Sequence, residues 1–138
     1  MELKVKSFKF DKLKIMGKKN WILKDKSIAF ALRIVNLNKY LVEGKKEFVL
    51  SKQILRSGTS IGAMVHEAEF AQSEADFIHK LSIGVKEANE TNYWLLLLKE
   101  HTLNESEYIS LHADCNELIS ILVTTIKTMK TKPKPHNS

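Results

Sequence analysis

Proline is nearly missing: the chain of 138 residues has two, Pro133 and Pro135, both close to its C-terminal end, and glycine occurs only five times. Little between residues 20 and 130 therefore interrupts regular structure, which favours a few long helices over many short strands. A single cysteine, Cys115, can form no internal disulfide, so a reducing cytoplasm is the simplest setting. The longest apolar run, Trp94 to Leu98, is far short of a membrane span. The first residues alternate lysine with apolar side chains and lack a continuous apolar stretch, so no signal peptide is expected.

Catalytic and metal-binding patterns are equally scarce. His66-Glu67 opens a string that places Phe70 where a zinc helix needs its second ligand. Glu67, Glu87 and Glu90 fall where helices two and three would meet, but a di-metal bundle also needs Glu-x-x-His on two helices, and that spacing occurs nowhere. Ser57, Thr59 and Ser60 have no His and Asp arrangement to activate them, and no phosphate-binding glycine loop is present. His79, His112 and His136 lack partners at ligand spacing, and Cys115 sits on an apolar stripe as a small hydrophobe. The expectation is a non-enzymatic protein with no cofactor and no metal.

Charge, by contrast, is abundant and uneven. Residues 1–26 hold nine lysines against three acids, a net of +6, and residues 27–66 hold six basic residues against two acids, a net of +4. Residues 67–107 reverse the sign, with nine acids against three lysines, a net of −6. Such an excess attracts polyanions such as RNA or DNA; it equally fits copies of the chain attracting one another. Lys39, Lys45, Lys46, Lys52 and Arg56 cluster at the end of helix one and the start of helix two, and are the candidate phosphate contacts. Lys45, Lys52 and Arg56 share one helix face if helix two begins early.

Helical periodicity runs through the chain from about residue 25. Helix one is expected from Asp25 or Ser27 to Glu43-Gly44, glycine being the usual residue just past a C-terminus. It carries two stripes: Ile28, Leu32 and Val35, and Phe30, Ile34, Leu37 and Leu41. Two stripes exceed what one partner helix covers, so this helix lies between neighbours or between subunits. Helix two, Glu47 to Ala71, places Leu50, Ile54, Ile61, Val65 and Ala68 on one face. Gly58 and Gly62 lie one turn apart inside it, which calls for a close-passing backbone, since each costs about 1 kcal/mol relative to alanine. Helix three, Ser73 to about Glu100, opens on a near capping box, Ser73-Glu74-Ala75-Asp76. It continues through Phe77, Leu81, Val85, Ala88, Leu95 and Leu98. Tyr93 to Leu98 is apolar nearly all round, which suggests a second interface. Helix four is capped by Asn104 with Glu107 reaching back, and Tyr108, Leu111, Cys115, Leu118, Leu122, Thr125 and Met129 follow spacings of three and four.

The expected fold is all-α, an antiparallel up-down-up-down four-helix bundle, with excess apolar surface that points to a ring-like homo-oligomer. Candidate interface residues are Phe30, Ile34, Tyr93, Trp94 and Leu97. A basic arm occupies residues 1–20, the bundle domain residues 21–130, and a disordered basic tail residues 131–138.

The stretches KSIAFALRIVNLNKYL, SKQILRSGTSIGAMVHEA (Ser51–Ala68) and AQSEADFIHKLSIGVKEANETNYWLLLL (Ala71–Leu98) resemble the 23S ribosomal RNA intervening-sequence family, once called S23 ribosomal proteins. The resemblance spans roughly Lys26 to Lys130. It implies a four-helix bundle that assembles into a ring-shaped homopentamer. It also points to a relative, the accessory variability determinant of diversity-generating retroelements, a basic pentameric barrel that binds nucleic acid and a reverse transcriptase. Met64 stands where that family often has Asn, and Leu96 where an Arg is common, so both departures replace polar groups with apolar ones. The alternative expectation is a protein–protein adaptor or structural oligomer with no nucleic-acid role.

Overall fold

The computed structural model describes residues 21–131; the arm over 1–20 and most of the expected tail lie outside them. The described residues form four helices and no strand: α1 (Trp21–Lys39), α2 (Leu50–Glu69), α3 (Glu74–His101) and α4 (Glu105–Thr131). Short turns make consecutive helices antiparallel, as the bundle expectation requires. α1 packs on α2, α2 on α3 and α3 on α4, while α1 and α4 touch least. The helices run 19 to 28 residues, or about 28–42 Å at 1.5 Å per residue.

The core is made of one stripe from each helix. α3 contributes Phe77, Leu81, Gly84, Ala88, Thr91, Leu95 and Leu98, and α4 contributes Leu111, Cys115, Leu118, Leu122, Thr125 and Met129. Both follow alternating steps of four and three, the spacing of helices that wrap gently along a shared seam. Gly84 and Thr91 fill steps of that rhythm, and Val85, expected in the core, is only half-buried.

α1 departs from expectation in three ways. It is already helical at Trp21, because Leu23 belongs to the buried stripe with Ser27, Phe30, Ile34, Leu37 and Leu41. Phe30 and Ile34, expected at a subunit interface, are 2% and 0% exposed and fill the core of the single chain. The stripe left outside is the other one, with Ile28 at 49% and Leu32 at 60% exposure. The helical run does end at Gly44, where it was expected to, but its last turn changes geometry. A single π-helical turn spans Tyr40–Gly44, where Lys45 N–H donates to Tyr40 C=O at 3.2 Å and Glu47 N–H to Leu41 C=O at 2.9 Å. The six-residue return that closes an ordinary α-helix normally has glycine in the left-handed position; here the return is one residue wider and Lys46 takes that position, at φ 55°, while Gly44 does not.

α2 begins at Leu50 and not Glu47, because the Glu47 carboxylate works from outside the helix, accepting Ser51 N–H at 2.8 Å. Both of its glycines meet α1, Gly62 against the backbone as expected and Gly58 against the Ile34 side chain instead. A Cβ on Gly62 would lie 3.4 Å from the Ser27 carbonyl oxygen, and one on Gly58 only 2.7 Å from Ile34 Cγ1. The α2–α3 turn is capped as read: Ser73 Oγ accepts Asp76 N–H at 3.0 Å, and Asp76 accepts Gln72 N–H at 3.3 Å. At α4, Asn104 Oδ1 accepts Glu107 N–H at 2.8 Å, while the Glu107 carboxylate turns towards Arg33. The helix continues to Thr131, one residue into the expected tail.

Candidate nucleic-acid interface

The bundle holds most of its cations in two groups; Lys86 and Lys99 on α3 and Lys127 and Lys130 on α4 are also exposed and outside any ion pair with a described carboxylate. The first group closes the seams between helices. Lys24 pairs with Glu69 at 3.1 Å across α1–α2, and Lys80 with Glu67 at 3.2 Å across α2–α3. The sparsely packed α1–α4 seam is bridged by Lys26–Glu117 at 2.9 Å and Arg33–Asp114 at 2.6 Å. The hydrogen bond from Lys26 to Glu117, with the charge of that carboxylate behind it, raises the Lys26 pKa above its ordinary value. Arg56, expected among the phosphate contacts, belongs to this group: it lies between Glu87, at 3.0 Å, and Glu90 on α3. Trp94 Nε1 donates to the same Glu90 at 3.3 Å. The expected shared face of Lys45, Lys52 and Arg56 does not form, since Lys45 precedes the helix.

The second group consists of Lys39, Lys45, Lys46 and Lys52. All four are exposed, and none makes an ion pair with a described carboxylate. They gather at the α1–α2 corner: Lys39 on the last turn of α1, Lys45 and Lys46 in the connection, Lys52 in the first turn of α2. The corner is built tightly beneath them, with Asn38 Nδ2 donating to Ser51 C=O at 3.0 Å.

Two side chains at this corner were not singled out by periodicity. Tyr40 is 46% exposed and Phe48 53% exposed. Lys45 Nζ stands 5.8 Å from the centre of the Tyr40 ring. The readable signal is phase: Tyr40 falls one residue short of buried Leu41, and Phe48 lies between two helices and on neither stripe.

Of the other candidate interface residues, Tyr93 is 53% exposed, Trp94 and Leu97 are half-buried, and neighbouring Leu96 is 46% exposed. Between α1 and the α3–α4 turn lies a cleft of about 360 Å³, lined by Arg33, Leu37, Tyr40, Leu103, Asn104 and Leu111. Glu67, Glu87 and Glu90 each face a cation, and among the described residues no group of three His, Cys, Asp or Glu side chains converges on a metal-sized site. No described helix is long and apolar enough to cross a membrane.

Four antiparallel helices tied by ion pairs, with exposed lysines gathered at one corner, define a small helical-bundle protein. The chain belongs to the 23S rRNA-intervening sequence protein family, whose description matches residues 19–124. It is similar to a crystal structure, at 1.70 Å, of a protein with unknown function from the S23 ribosomal protein family of Bacteroides thetaiotaomicron VPI-5482. The two are 58% identical with a TM-score of 0.79, and the match covers 80% of this chain and 99% of that one. No curated protein matches the chain.

Proposed function

We propose that this protein is a non-enzymatic, homo-oligomeric accessory protein that binds RNA or DNA. The observation that carries the reading is a concentration of cations: Lys39, Lys45, Lys46 and Lys52 are left to solvent together at one corner, whereas the other exposed lysines without an ion pair, Lys86, Lys99, Lys127 and Lys130, are spread along α3 and α4. Four lysines with no acidic partner raise the local potential where a phosphate backbone releases counterions on binding. A ring assembly, pentameric by resemblance, would repeat this corner around its rim and multiply a weak contact into avidity. The test is binding of fluorescent RNA and DNA across a salt series, with the four lysines reversed to glutamate as the comparison. Affinity should fall steeply with salt and vanish in the reversed variant; no binding at low salt, or a salt-independent signal, rejects the reading.

A second reading has its own support. The outer face of α1, with Ile28 and Leu32, and that of α3, with Tyr93 and Leu96, present apolar area that fits another protein surface. If the reversed variant loses its oligomeric state and no nucleic-acid phenotype accompanies the loss, the protein is an adaptor or structural oligomer.

A further inference from the structure

We infer that the α1–α2 corner takes single-stranded nucleic acid, stacking unpaired bases on Phe48 and Tyr40 while Lys39, Lys45, Lys46 and Lys52 hold the backbone. The inference rests on the nucleic-acid reading above and narrows its ligand. Three independent features meet at this corner. The first is chemical: two aromatic rings about half exposed, among four unpaired lysines. A ring on the surface gains nothing from a duplex, whose bases already stack on one another, but it offers a platform to a free base. Lys45 Nζ lies over the Tyr40 ring, 5.8 Å from its centre, so a base that stacks there displaces a flexible cation that can then reach its phosphate.

The second feature is conformational. α1 leaves α-helical geometry through the π-helical turn Tyr40–Gly44, and two residues later Lys46 adopts φ 55°. Isolated π turns and left-handed non-glycine residues gather where a fold positions side chains for a task. Here they turn the chain sharply between two helices and leave Phe48 outside both.

The third feature is electrostatic. The antiparallel order brings the α3–α4 turn to the same end of the bundle, next to Tyr40 across the cleft. Glu100 in the last turn of α3 and Glu105 and Glu107 in the first turn of α4 flank it, all exposed, Glu107 lying towards Arg33. A broad duplex laid over this end would meet those carboxylates, whereas one strand can follow the corner alone. Glu47, inside the corner, is committed to Ser51 N–H, which leaves Glu43 as its one exposed carboxylate.

The experiment compares a fluorescent oligothymidine with a DNA duplex of equal length, by anisotropy over a salt series, for the parent and for Phe48→Ala, Phe48→Trp and Tyr40→Ala. The parent should bind the single strand more tightly than the duplex. Phe48→Ala should weaken single-strand binding by roughly five-fold to a hundred-fold, the worth of one stacked base, with the salt slope unchanged. Phe48→Trp should keep or improve binding, and Tyr40→Ala should resemble Phe48→Ala. Equal or tighter duplex binding, or a Phe48→Ala variant as tight as the parent, overturns this inference and leaves the broader nucleic-acid reading standing. Absence of binding to either probe at low salt removes both. If Phe48→Ala instead dissociates the assembly in sedimentation, Phe48 is a subunit contact and the stacking role is lost.

Discussion

Lys46 occupies a backbone position that natural sequences usually give to glycine. A left-handed conformation costs a non-glycine residue roughly 1–2 kcal/mol, and the return hydrogen bond from Glu47 N–H to Leu41 C=O follows directly from it. Lys46→Gly should therefore raise stability by up to about 1 kcal/mol, after subtracting the extra freedom glycine gives the unfolded chain. Lys46→Val, branched at Cβ, should lower it. Urea midpoints with unchanged slopes are the measurement, and a lower midpoint for Lys46→Gly would refute the account. Retaining lysine there, against stability, is what a binding role at the corner predicts.

A second residue-scale prediction concerns alkali. Cys115 is fully buried, and its thiol donates to Ala88 C=O at 3.3 Å. Burial, with Asp114's charge behind it, pushes its pKa from 9.0 up to about 12. The folded state then keeps a proton that the unfolded chain releases, so stability is intact below pH 9 and declines as pH climbs towards 12. The shift corresponds to roughly 4 kcal/mol at most. The Lys26–Glu117 pair adds to the same alkaline loss, since the raised lysine pKa means its contribution fades as pH rises through that value. Cys115→Ala should flatten only the thiol's share of the decline. Thermal melts of the two proteins between pH 8 and pH 12 (about the range set by these groups) decide it; parallel curves would exclude the thiol.

At the scale of the elements, the α1–α2 contact depends on Gly58. A Cβ there would press on Ile34 Cγ1 at 2.7 Å and Cγ2 at 2.9 Å, and a branched, fully buried side chain has little room to yield. Gly58→Ala gains about 1 kcal/mol of helix propensity but overpacks the seam, which costs about 1–3 kcal/mol, so net destabilisation is expected. In an Ile34→Ala background the same substitution should become favourable, and a double-mutant cycle measures the coupling. Additive effects would mean the helices do not meet there. That close approach was legible in the sequence because two glycines inside a helix demand a reason. The α3 and α4 stripes were legible through strict three-four spacing, and the Ser73 and Asn104 caps through local chemistry. The end of the first helical run at Gly44 was legible from its glycine, but its geometry and the start of α2 were not: a π turn and a left-handed lysine have no sequence period, and Glu47 reads as helical although it caps from outside. Phe30 and Ile34 were misplaced for a related reason. Two apolar stripes on one helix look alike until the neighbouring helix selects which of them is covered. At the candidate site, the four lysines were visible as charge, but only the fold shows that Arg56 is neutralised by Glu87 and Glu90.

At the scale of the whole molecule, the order of packing places α1 and α3 diagonally, each between α2 and α4. Their outer faces, Ile28 and Leu32 on one and Tyr93 and Leu96 on the other, therefore point to opposite sides. Two unlike apolar faces on opposite sides suit a head-to-tail contact, which closes into a ring when each step turns by a fixed angle. A stable junction covers about 800 Å² on each partner. Two junctions per chain are then roughly a fifth of the chain's 8819 Å² surface. The prediction separates this arrangement from a symmetric dimer. Leu32→Glu blocks one face and Tyr93→Glu the other, so each pure variant should sediment as a monomer with unchanged helicity. Mixed together, each still offers the face the other has lost, and they should form one junction: a dimer of the two variants and nothing larger. A face-to-itself contact cannot behave in this way, because each variant would either keep its own dimer or lose it regardless of the mixture. No dimer on mixing, or assemblies larger than two, would refute the head-to-tail ring.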